Sequence, residues 1–227
     1  MNIKTLNKVI ASVLLTGSLA IASSAQATVI TSSYTNAFEV TEISQTGSLS
    51  QFDSALGTLN SATLTLSGES LSSTILINNA AGMASFDFNS ILNFFFDVSS
   101  VGVTIPLPAF VTQLASTSGF VGLASGVSLN LGPVSDIASY SVTLTGSDLA
   151  AFVGTGLFDT SCNTISGSSF TGGGGNISND QTTTAFCSAS ISYDYTETTL
   201  VSAPASALLF GAGMLGLAVT RRNKKTS

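Results

Sequence analysis

The chain has 227 residues, with 6 Lys and Arg against 12 Asp and Glu, no His and no Trp, and a formal charge of −6. Its cations are Lys4 and Lys8 near one end and Arg221, Arg222, Lys224 and Lys225 near the other; between Val9 and Thr220 there are none, while all 12 carboxylates lie there. A body of side-chain charge 0 − 12 = −12 is repelled by nucleic acid and by anionic membrane surfaces, and the lack of His excludes Ser–His–Asp and Cys–His catalysis, just as the lack of Lys and Arg excludes a Ser–Lys pair or a cationic phosphate clamp within it.

The first segment is "MNIKTLNK", a basic region, followed by the apolar "VIASVLLTGSLAIA" and then Ala25-Gln26-Ala27. A basic start, a short apolar run and small residues in an A-x-A arrangement predict a secretory signal over residues 1–27, cut so that the mature chain begins at Thr28.

Residues 28–200 are rich in Ser, Thr, Gly, Val, Leu, Ile and Phe, a composition that favours strands and turns. Apolar residues recur at every second position in Ala62-Leu64-Leu66, Val101-Val103-Ile105-Leu107, Val127-Leu129-Leu131, Tyr140-Val142-Leu144 and Cys187-Ala189-Ile191-Tyr193-Tyr195. Short alternating strands split by Gly and Ser turns predict an all-β antiparallel sandwich, jelly-roll-like or immunoglobulin-like. "SILNFFFDV" (Ser90–Val98) reads as a core strand, with an exposed aromatic ridge as the alternative. "SDLAAFVGTG" (Ser147–Gly156) reads as one short helix capped by Ser147 or Asp148, and the glycine-rich "FTGGGGNISND" (Phe170–Asp180) reads as a flexible loop. It has no following Lys to make it a phosphate loop.

Cys162 and Cys187 are the only cysteines. An even count in an exported chain predicts a disulfide, worth roughly 3 kcal/mol for a loop of this length. A metal pair lacks a His co-ligand, and a reactive thiol lacks a basic neighbour.

Carboxylates are the remaining chemical groups. Glu39 and Glu42, and likewise Asp194 and Glu197, are three apart, a spacing that puts them on opposite faces of a strand. The other acids are scattered singly, and no D-x-D-x-D-G run marks an EF-hand. Loops bringing two or three of them together would hold Ca²⁺.

The tail has an apolar run over Ala207–Val219, or 18 small and apolar residues counted from Ala203 to Thr220, and ends in Arg221, Arg222, Lys224 and Lys225. That length is near the lower limit for a membrane-spanning helix, and the basic cluster would stay cytoplasmic. A proline motif, an apolar stretch and a terminal basic cluster resemble the PEP-CTERM sorting signal. Val201-Ser202-Ala203-Pro204-Ala205-Ser206 matches its Val-Pro-Glu-Pro motif, with Ser202 and Ala203 in place of Pro and Glu, and "LLFGAGMLGLAVTRR" matches its Gly-rich apolar section and Arg-rich end. In the body, "SLSQFDSALGTLNSATLTLSG" (Ser48–Gly68), "DLAAFVGTG" and "SISYDYTE" resemble the choice-of-anchor E domain. The resemblances imply a Gram-negative source, export through the Sec pathway, a transient inner-membrane anchor, and processing near Val201–Ser206 by an exosortase-type protease.

The function expected is that of a non-enzymatic surface or extracellular-matrix protein, structural or adhesive within a biofilm or exopolysaccharide layer. A Ca²⁺-dependent carbohydrate-binding module is the alternative, and a carboxylate-only glycosidase the third reading. Expected partners are signal peptidase, the exosortase, the inner membrane and extracellular polysaccharide, with no nucleic acid and no resident cofactor.

Overall fold

A computed structural model describes residues 27–198, which form one compact body. Most of the expected signal segment, Ala25 included, lies outside the described residues. So do the sorting motif Val201–Ser206, the apolar run and the basic cluster.

Eleven strands follow in chain order: β1 (Ala27–Thr35), β2 (Glu39–Val40), β3 (Ser44–Ser50), β4 (Gly57–Asn78), β5 (Ala84–Asp97), β6 (Phe110–Ser116), β7 (Val121–Leu123), β8 (Ser128–Asn130), β9 (Val134–Leu144), β10 (Leu157–Gly172) and β11 (Ile177–Glu197). In the first sheet β11 and β4 lie side by side; β1 and β2 succeed each other along the outer edge of β11, and β9 and β8 along the outer edge of β4. In the second sheet the order is β3-β10-β5-β6, with β7 continuing beside β5. All these pairings are antiparallel, so the body is the expected all-β sandwich of two sheets.

The alternation read from the sequence sets the core. Ala62, Leu64 and Leu66 on β4 and Ala185, Cys187, Ala189, Ile191, Tyr193 and Tyr195 on β11 face Leu92, Phe94 and Phe96 on β5 and Phe158 and Cys162 on β10. Phe94 and Phe96 are buried while Phe95 sits half-buried on the opposite face, so Ser90–Val98 is a core strand and not an aromatic ridge. Cys162 and Cys187 form the predicted disulfide, with Cα atoms 6.4 Å apart and both residues fully buried. It ties β10 in one sheet to β11 in the other. Beside it Gln45 is buried; its side-chain carbonyl accepts the Cys187 N–H at 2.9 Å and its amide donates to the Ala37 carbonyl. Gln45→Leu leaves that N–H without an acceptor, and a loss of about 1–3 kcal/mol is expected in urea unfolding.

Three expectations need correcting. Val101, Val103, Ile105 and Leu107 are not a strand: Ser99–Val101 is a 3₁₀ turn, and the chain runs irregularly to β6, with Leu107 exposed. Gly102 is left-handed at φ 71°, and Pro106 and Pro108 lack the N–H a ladder needs. The helical segment expected near Ser147 is present as a 3₁₀ segment, Gly146–Phe152, but its cap is not Ser147 or Asp148: its N-cap is Thr145, and no side chain caps it. Phe170–Asp180 is not a loop: β10 runs to Gly172, a 3₁₀ turn takes Gly173–Gly175, and β11 begins at Ile177. Gly172, Gly173 and Gly175 all have positive φ, which reverses the chain in minimal length. A Cβ on Gly172 would also meet the Ser85 carbonyl at 2.6 Å.

Tyr193 is buried and donates from its hydroxyl to the Ser50 carbonyl at 2.7 Å. Burial pushes its phenol well above its ordinary value. A raised phenol leaves stability intact below the ordinary value of about 10 and removes it as the pH climbs further, because only the unfolded chain then ionises. Tyr193→Phe should cost about 1 kcal/mol at pH 8 through the lost hydrogen bond. Denaturation series should show that gap closing once the pH passes about 10.

Candidate functional site

The inner face of β4 changes chemistry along its length. Ala62, Leu64 and Leu66 are apolar, Gly68 follows, then Ser70, Ser72 and Thr74 point inward fully buried, and Leu76 resumes the apolar series. Opposite and beside them lie buried Ser90 on β5, Thr112 on β6 and Thr183 on β11. Together they form a hydroxyl belt across the sandwich. It separates the main core from a smaller cluster of Leu76, Ala84, Phe86, Phe88, Ala115 and Leu123.

The belt is hydrogen-bonded. Ser70 Oγ donates to Thr112 Oγ1 at 2.7 Å, and the Ser72 and Thr183 hydroxyls are 3.0 Å apart. Ser90 Oγ donates to Gln181 Oε1 at 3.0 Å, and Gln181 Nε2 donates to Thr183 Oγ1 at 3.1 Å. Thr74 Oγ1, on the residue paired with Gln181 across β4 and β11, is buried without a hydrogen-bond partner. A buried hydroxyl with no partner costs free energy.

On one side the belt opens to solvent. β3 pairs with β10 only as far as Asn163, and β2 pairs with β11 only at Thr184 and Ala185. Beyond those points β10 and β11 have no further strand on that edge among the described residues. The inward phase of β10 continues from buried Thr160, Cys162 and Thr164 to exposed Ser166, Ser168 and Phe170. The gap is a groove of about 480 Å³, walled by Ser166–Ser168 on β10, by Asn179 and Gln181–Thr183 on β11, by Ser90, and at one end by Val40 and Thr41.

That end is closed by the segment crossing between sheets. Thr41 N–H donates to the Thr183 carbonyl at 3.1 Å, Ile43 N–H to Thr164 Oγ1 at 3.0 Å, and Glu42 Oε1 accepts the Ser166 N–H at 3.0 Å. Glu39 lies in the two-residue β2, and Glu42 lies outside it. The two acids therefore do not share a strand as the sequence suggested; Glu42 is a rim residue.

The other acids are dispersed. Asp136 accepts the Gln113 N–H at 2.6 Å, where β6 and β9 close the far edge. Asp97 accepts the Ser99 N–H, which holds its carboxyl below the usual range, and Glu197 accepts from Thr28 Oγ1. Among the described residues no three of His, Cys, Asp and Glu are placed to hold a metal ion. The groove offers hydroxyl and amide groups that both donate and accept, with one carboxylate at its rim.

Family models give no match to the chain, and curated proteins give none either. Solved structures give faint likenesses. The T13 particle of infectious bursal disease virus is 10% identical over 76% of this chain and 36% of that one, with a TM-score of 0.18. Mud crab tombus-like virus is 6% identical over 80% and 86%, with a TM-score of 0.21. The parasporin-2 toxin of Bacillus thuringiensis is 11% identical over 74% and 68%, with a TM-score of 0.18. The chain spans about a third of the length of the first two structures matched, both of infectious bursal disease virus. At these scores they carry no argument about function.

Among the described residues no helix is long and apolar enough to cross a membrane. Ala27 and Thr28 lie in β1, Ala27 opposite Thr196 and Thr28 opposite Tyr195. The first and last strands of the body therefore begin and end side by side.

Proposed function

We propose that the chain is an exported, non-enzymatic surface or extracellular-matrix protein. Its body is a jelly-roll sandwich delivered by disposable ends. The observation that carries this reading is the segregation of charge: every Lys and Arg lies in the two terminal segments, and every Asp and Glu lies in the body between them. A cleavable basic–apolar leader and a PEP-CTERM-like tail explain both cationic clusters at once. The jelly-roll assignment is supported by the strand order, in which the chain passes back and forth between two four-wide sheets. A buried inter-sheet disulfide suits an oxidising compartment.

Ala27 lies beside Thr196, so the described body begins and ends at one end of β11, while Gln181 lies 15 residues back along that strand, roughly 50 Å away. The Ca²⁺-dependent reading has no three-ligand cluster to rest on among the described residues. The glycosidase reading has no carboxylate among the residues that line the groove.

The test is fractionation of the native host with thiols trapped by an alkylating agent at lysis. Recovery in the envelope, matrix or medium with Cys162 and Cys187 protected by their disulfide is the expected result. Recovery in the cytoplasm with both thiols alkylated would overturn the proposal.

A further inference from the structure

We propose that the groove between β10 and β11 binds a neutral saccharide directly, without a metal ion. This depends on the groove alone and not on how the chain is sorted. Several observations point to it.

Apart from Val40 and Gly167, the walls are built from Ser, Thr, Asn and Gln residues. Each hydroxyl or amide both donates and accepts, which matches the hydroxyls of a sugar. No cation lies among the described residues, and Glu42 sits at the rim, so phosphate, sulfate or uronate groups would find no opposite charge. The volume of about 480 Å³ falls within the range of ligand clefts and admits a short stretch of glycan.

The belt behind the groove is polar where a sandwich interior would ordinarily be apolar. Gln181 already links Ser90 to Thr183, so its side chain is held in place before a ligand arrives, and the ordering cost of binding is reduced. Two residues beyond Ser168 on the same face and just outside the groove lining, Phe170 packs its ring against Phe88 with centroids 4.6 Å apart, and the residue is 38% exposed. It offers an apolar platform to the C–H face of a pyranose.

The experiment uses protein expressed from the full chain. Its mobility is measured in native gels containing dextran, laminarin or mannan, with alginate as the anionic comparison and with and without EDTA. Ser168→Tyr fills the groove from an exposed position, and Asn179→Tyr does so from the facing wall; equal melting temperatures establish that both remain folded. The expected result is retardation by at least one neutral glycan, unchanged by EDTA, absent with alginate, and at least tenfold weaker in both variants. Failure of all three neutral glycans to retard the protein overturns the proposal, as does retardation that both variants leave intact. Retardation abolished by EDTA moves binding to a metal site elsewhere and overturns it too. The open strand edges also suit an added strand; dimers in sugar-free buffer that either variant dissociates would assign the groove to a second copy of the chain and overturn the saccharide assignment.

Discussion

Replacing Cys162 and Cys187 together by Ala should lower the melting temperature by roughly 6–12 °C. The pair is 25 residues apart in sequence, and on the chain-entropy view a cross-link of that span stabilises by about 3 kcal/mol. For a domain of this size each 1 kcal/mol moves the melting point by about 2–4 °C. The bond joins the two sheets at the middle of the core, between strands already linked through the Gly173–Gly175 turn, so it shortens a closure the fold has made once. The wild type melted in a reducing agent should approach the double variant. A shift below about 2 °C in both experiments would show that hydrophobic contact between the sheets suffices without the bridge.

Phe94→Ala should cost about 3–5 kcal/mol, the range for deleting a buried aromatic side chain. Phe94 is fully buried and stacks on Phe110 with ring centroids 4.9 Å apart. Its ring also occupies the space a side chain at Gly68 would need, since a Cβ built there runs into Phe94. Gly68→Val should therefore destabilise by about 1–3 kcal/mol through overpacking. In the Phe94→Leu background the same change should cost less, because the ring that opposes it is gone. A double-mutant cycle in urea reads this coupling, expected at about 0.5–3 kcal/mol for residues in contact. Strictly additive costs would mean that Gly68 is required for some reason other than the ring.

The sandwich was legible because β-strand chemistry is local. Alternation at Tyr140-Val142-Leu144 and Cys187-Ala189-Ile191 needs only a pleat with one wet face, and both segments are strands with the expected phase. The disulfide followed from a count. The belt and the groove were not legible. On β4 the first two apolar residues after Gly68 are Leu71 and Ile75, both exposed, while Ser70, Ser72 and Thr74 face inward. The phase is fixed by Leu64 and Leu66, and a strand cannot change phase without a bulge. Carrying the phase of Leu66 through Gly68 would have placed three hydroxyls in the core. The polar run Asn179–Thr184, just ahead of the apolar series of β11, was the matching signal. What no local pattern holds is where the neighbouring strands stop. The groove exists because β3 pairs no further than Asn163 and β2 no further than Thr184, and those are encounters between segments more than 100 residues apart. The Val101–Leu107 error had a local cause: the apolar spacing was right for a strand, but Gly102 and two prolines were not.

The central claim is that the acidic body is the functional product and both cationic ends are signals. Intact-mass measurement of the protein from the envelope and culture medium of its native host tests this most directly. The predicted result is a chain that begins at Thr28 and ends between Val201 and Ser206. A chain that still begins at Met1, or that still carries Arg221, Arg222, Lys224 and Lys225, would contradict it.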